Sequence, residues 1–123
     1  MEQIELFESV TDDERSAVKL ILKHYPKMKA VVNALTMKNE LTYKQMEKLN
    51  KFKPIVSEIE TAFTLIIDPE VKTIFEHRYM KGQKYLSTID LFWDKQRSER
   101  TIDRRIATGV NTIAEHLKLC GII

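Results

Sequence analysis

Arg97-Ser-Glu-Arg-Thr-Ile-Asp-Arg-Arg-Ile106 reads as the leading end of an amphipathic helix. Ser98 is a good N-cap, because its hydroxyl can accept from the free backbone N–H groups of the first turn. A helix starting there places Ile102, Ile106, Val110, Ile113 and Leu117 on one stripe, at steps of four, four, three and four. That stripe faces a core. At about 100° per residue, Arg97, Arg100, Thr101, Arg104 and Thr108 fall on the opposite face, flanked by Arg105 and Asp103. A cationic, polar face at a helix N-terminus is suited to reading the major groove of DNA, whereas arginines on a wet helix face also serve solubility alone. The preceding residues favour the first reading.

Working outward, Val71, Ile74, Phe75, Arg78 and Tyr79 form a helical pattern over residues 70–79, which Gly82 is suited to cap. A second short pattern follows at Tyr85, Leu86, Ile89, Phe92 and Trp93, with Phe92 and Trp93 read as core anchors. The polar connection 94–97 then leads into the cationic helix. Two short apolar helices, a turn and a longer helix with a basic leading end make a helix-turn-helix plan.

Upstream, Thr11-Asp-Asp-Glu14 is a capping box. The helix it opens is expected to bury Ala17, Val18, Ile21 and Leu22 and to end near Tyr25, before Pro26. A separate helix is expected from Pro26 to Met37, with 38–43 a polar loop. From Tyr43, the residues Met46, Leu49, Phe52, Val56, Ile59, Phe63 and Ile66 repeat at threes and fours, predicting a long helix to about Ile67. Pro54 is expected to kink or split it. Asp68-Pro69 stops that helix and starts the next, dividing the chain into an N-terminal helical region, 1–67, and a helix-turn-helix region, 68–123, with separable packing.

Composition agrees with an all-α chain: only 3 glycines and 3 prolines occur in 123 residues. A net charge of +2 is too small to argue for nucleic-acid binding, so the distribution of charge must carry the case. Residues 1–14 hold six acids and no base, while residues 15–53 hold Arg15 and nine lysines against Glu40 and Glu47. Between Lys95 and Arg105, five bases face two acids. The single cysteine, Cys120, excludes an intrachain disulfide, fits a reducing cytoplasm and reads as a small apolar residue near the C-terminus. No apolar run approaches the ~20 residues of a membrane span, and the acidic N-terminus is unlike a secretory signal. His24, His77 and His116 lie far apart, which argues against a metal site, and no Gly-rich phosphate loop or nucleophile elbow is present. An enzyme, a cofactor and a metal are therefore not expected.

The chain resembles the ArpU/RinA-type late-gene transcriptional regulators of phages and phage-derived islands in Gram-positive bacteria. The resemblance covers most of its length: Val18-Lys-Leu-Ile-Leu-Lys-His-Tyr-Pro-Lys-Met-Lys29, Ile59-Glu-Thr-Ala-Phe-Thr-Leu-Ile66 and the C-terminal helix-turn-helix. Residues Ile74 to Tyr79, Gly82, Ser98 and Ile102 also look like the promoter-reading domain of sigma factors. Ile89 to Ser98 spans nine positions, longer than the usual pattern, which implies a lengthened turn. The resemblance implies an activator acting on double-stranded promoter DNA with host RNA polymerase in the bacterial cytoplasm.

In that role Arg100 and Arg104 are expected to grip base edges, with Thr101 and Thr108 adding methyl or hydroxyl contacts. Lys84, Lys95, Arg97 and Arg105 are expected on phosphates. Carboxylates of a protein antagonist laid over Arg97, Arg100 and Arg104 would switch such a regulator off. A different class, an adaptor that engages RNA polymerase or another regulator without reading DNA, fits the acidic N-terminus and the lysine-rich region. A DNA-packaging subunit fits less well, because its DNA-binding helices are expected to lead the chain. The stripe from Met46 to Ile66 is long enough either to build a homo-oligomer or to be covered by residues 11–37 of the same chain.

Overall fold

Residues 8–94 and 97–123 are described by a computed structural model, and among them the chain is all helix with no strand. The order is α1 (Asp12–Thr36), α2 (Tyr43–Thr64), α3 (Pro69–Phe75), α4 (Tyr85–Phe92) and α5 (Glu99–Leu119). A wide helical turn, Glu76–Met80, extends α3 and closes with an i to i+5 bond from Lys81 N to Glu76 O at 2.8 Å. No described helix is long and apolar enough to cross a membrane.

Local chemistry explains most of the boundaries. Thr11 and Glu14 form the expected capping box at α1, and Thr42 with Gln45 forms another at α2. The second box turns the end of the expected 38–43 loop into a helix start. Asp68 accepts from the backbone of Glu70 and Val71, with Pro69 leading α3, and Ser98 accepts from Thr101 N to open α5. Gly82 takes a φ of 66°, and a β-carbon there would lie 2.9 Å from Pro26 Cγ. Both the backbone conformation and the approach to α1 therefore require glycine.

Both prolines are read through. α1 is one helix across Pro26, not two, and α2 is one helix across Pro54. Each proline removes one backbone donor, at a cost of ~3 kcal/mol in a helix interior. The turns on either side are pinned to the core: Leu22, Tyr25 and Met28 around Pro26, and Val56 and Ile59 after Pro54. Packing of an amphipathic face supplies most helical stability, and here it outweighs the local defect. α2 ends at Thr64, short of the expected Ile67, which is 94% exposed. Ala17 is exposed and Ile21 half-buried, so the buried face of α1 is narrower than expected and runs Val18, Leu22, Tyr25, Met28, Val32.

α5 is the hub. Its whole predicted stripe is buried, together with Gly109 and Ala114, and it packs on α1, α2 and α3, and more thinly on α4. A β-carbon on Gly109 would meet the Phe75 ring at 2.6 Å, so the bare glycine sets how closely α3 approaches α5. The break at residue 68 is real as a helix boundary, yet buried side chains from 1–67 and 68–123 belong to one cluster. Helices α1 and α5 cover Val56, Ile59 and Ala62 on α2, while Met46 stays 50% exposed and Leu49, Phe52 and Ile55 are half-buried.

Candidate nucleic-acid interface

Of the four base-reading candidates, three lie on the open face of α5 and one does not. Arg100 and Arg104 are both exposed, one turn apart near the start of α5, and make no hydrogen bond or ion pair with the described residues through their guanidinium groups. Thr108 is exposed on the next turn, its hydroxyl donating to Arg104 O at 2.9 Å. Thr101 is half-buried, its hydroxyl 3.3 Å from Ser98 Oγ, so it belongs to the wall behind the cap rather than to the open face.

The phosphate candidates are less free. Arg97 donates from its backbone to Asp94 Oδ1 at 2.7 Å and from Nη2 to Asp94 Oδ2 at 3.0 Å, and its Nη1 lies 3.5 Å from Glu70 Oε1. Arg105 Nε is 3.6 Å from Glu70 Oε2 and is buried without a hydrogen-bond partner. Glu70, in the first turn of α3, thus draws two arginines inward at the leading end of α5. Such a half-exposed arrangement is weak in water and opens readily for a better anion. Lys84 is exposed at the N-cap of α4 and is available for phosphate. Lys95 lies outside the described residues.

Acidic groups border the open face. The Tyr85 hydroxyl donates to the Asp103 carboxylate and sits 3.2 Å from Glu99 Oε1, tying the start of α4 to the first turns of α5. These carboxylates, Asp103 first, hold the Tyr85 phenol well above its usual range. Sequence periodicity gave no sign of this clasp, because it joins residues from two different helices.

On α4 only Thr88 and Ile89 are buried. Thr88 Oγ1 sits 2.9 Å from His77 Nδ1, and the His77 ring meets Phe92 edge-on with centroids 5.6 Å apart. Phe92 is thereby half-buried as an anchor. Trp93 is not one: it is 62% exposed, as are Leu86 at 70% and Leu91 at 61%. The chain leaves α4 at Trp93 in an extended conformation, which turns the indole away from the core.

The three histidines are not equally isolated. His116 Nε2 lies 2.7 Å from Glu58 Oε2, and the Cys120 thiol donates to the same oxygen at 3.0 Å. Cys120 is exposed and polar in its contacts, contrary to its reading as a small apolar residue. The spacing of His116 and Cys120, four residues apart on a helix, was the available signal. Searches of family profiles, curated proteins and solved structures gave no match to this chain.

Proposed function

We propose that this chain is a sequence-specific DNA-binding transcription regulator, an activator of phage late genes that acts on double-stranded promoter DNA with host RNA polymerase. The observation that carries the reading is the pair Arg100 and Arg104, exposed, without a guanidinium partner among the described residues and one turn apart at the leading end of a helix whose opposite face is locked in the core. A guanidinium there can grip guanine through two parallel hydrogen bonds, and each good bidentate contact is worth ~1–3 kcal/mol of discrimination. The anchoring of α5 fixes where the two side chains leave the backbone, and so which surface their guanidinium groups can reach. Arg97 can transfer from Asp94 and Glu70, and Arg105 from Glu70, to phosphates on docking, and Lys84 can join them. An acidic protein antagonist would compete for the same arginines.

A gel-shift comparison of Arg104→Ala with the wild type on promoter DNA from the same genetic element tests this. Weaker binding and a relaxed preference at one base pair are expected. Equal affinity with equal preference contradicts the assignment.

The second reading is an adaptor that engages RNA polymerase or another regulator without touching DNA. It is favoured by the exposed Leu86, Leu91 and Trp93 on and beside α4, and by the acids Glu99 and Asp103 next to the arginines. Salt separates the two: a DNA reader loses affinity steeply as salt rises, whereas an adaptor has no DNA affinity to lose.

A further inference from the structure

The last turn of α5 and the middle of α2 bring together three side chains whose chemistry is that of a metal site. His116 and Cys120 project from consecutive turns of α5 and its C-cap, and Glu58 faces them from α2. Glu58 Oε2 is 2.7 Å from His116 Nε2 and 3.0 Å from Cys120 Sγ, and the sulfur is 3.5 Å from the ring nitrogen. All three ligand atoms lie within 4.8 Å of one another. We propose that Glu58, His116 and Cys120 bind a divalent zinc-type ion, with water completing the tetrahedron.

The distances suit such an ion. With Zn–N and Zn–O near 2.0 Å and Zn–S near 2.3 Å, tetrahedral ligand atoms sit about 3.3–3.6 Å apart. The sulfur and nitrogen are already at that spacing. Only the carboxylate oxygen must withdraw, by about half an ångström, to admit the ion. Its side chain is 33% exposed and His116 14%, while Cys120 is exposed, so both the shift and the entry of the ion are open from solvent. A thiolate and an imidazole select zinc-type ions over magnesium or calcium, which prefer oxygen alone. The negative C-terminal end of the α5 dipole adds a favourable field for a cation. On binding, the Cys120 thiol gives its proton to solvent and the sulfur takes the metal in its place.

The consequence is a staple between α5 and α2. Arg100 and His116 are sixteen residues apart on one helix, about 24 Å at 1.5 Å per residue, so the ion does not touch the nucleic-acid face. The proposal therefore stands independently of the DNA-binding reading.

Titration of the reduced 123-residue chain with cobalt(II), followed by optical spectroscopy, tests it. One equivalent is expected to produce a thiolate-to-cobalt charge-transfer band and intense tetrahedral ligand-field bands, both removed by competing zinc. Cys120→Ser should lose the charge-transfer band, and His116→Ala and Glu58→Gln should each weaken binding by roughly tenfold or more. Zinc should also raise the melting temperature of the wild type and not of Cys120→Ser, whose altered side chain is exposed and whose metal-free fold is expected to match the wild type. A wild type with no charge-transfer band overturns the proposal. So does unchanged affinity in both His116→Ala and Glu58→Gln, which would mean that the cysteine captures metal without its neighbours.

Discussion

Arg97 and Arg105 both lean on the Glu70 carboxylate, Arg97 on Asp94 as well, while Arg100 and Arg104 on the same polar side lean on none among the described residues. Helical periodicity places all four on the wet side of α5 or its flank, but it cannot tell which of them meets an acid from another element. Glu70→Gln should release Arg105 toward phosphate while Arg97 keeps its contacts with Asp94, strengthening non-specific DNA binding and steepening its salt dependence; fluorescence anisotropy on random duplex checks this. Little stability should be lost, because half-exposed pairs contribute ~0–1 kcal/mol. Gly109 makes the opposite kind of residue-scale prediction. Gly109→Ala improves helix propensity by ~1 kcal/mol, yet the new methyl meets Phe75, and overpacking costs typically ~1–3 kcal/mol. Phe75 is fully buried and has nowhere to move, so net destabilisation is expected in a urea melt. The cluster of Glu58, His116 and Cys120 was half legible: the i to i+4 pair is in the sequence, but Glu58 reaches it only through the packing of α2 on α5.

At the scale of elements, the apolar stripes of α2 and α5 and the caps at Thr11, Asp68 and Ser98 were readable, because each depends on neighbours within one or two turns. The Thr42–Gln45 box was readable on the same rule, since it has the same spacing as Thr11 and Glu14. Pro26 and Pro54 were not, because whether a proline breaks a helix depends on how firmly distant residues hold the turns beside it. The cap of α1 carries a pH prediction. Glu14 accepts from the Thr11 backbone and from Lys118 Nζ at 3.0 Å, and those two contacts, Thr11 first, hold its carboxyl below the ordinary value of 4.5. A carboxyl with a lowered folded value binds its proton more weakly when folded than when unfolded. Its stabilisation is therefore fully present above about pH 4.5 and is lost as pH falls through the lower folded value. Thermal melts of Glu14→Gln against wild type should show a gap at neutral pH that narrows on acidification. A gap independent of pH would contradict the role given to the charged carboxylate.

For the whole molecule, the buried face of α5 is completed by α1 and α2 as much as by α3. Ile113 and Leu117, both fully buried on α5, would lose part of their cover in a fragment of residues 68–123. Burial of one such side chain contributes ~1.5–3 kcal/mol, a large share of the stability of a small domain. The fragment is therefore expected to show no cooperative thermal transition by circular dichroism, and a sharp transition would show that the C-terminal helices hold a sufficient core alone. Asp68-Pro69 suggests separable packing in the sequence, because a helix break looks the same there whether or not the cores on its two sides merge. The partly open stretch of α2 from Met46 to Ile55 leaves room for self-association, which light scattering at micromolar concentration would register as a mass above the monomer.

Selection of duplexes from a random pool by the 123-residue protein decides whether the exposed arginines of α5 read DNA sequence. Enrichment of a motif containing guanines is expected, with Arg100→Ala and Arg104→Ala each relaxing preference at a different position by about 1–3 kcal/mol. A pool that remains random after repeated rounds at low salt, or a motif unchanged in both variants, would contradict it.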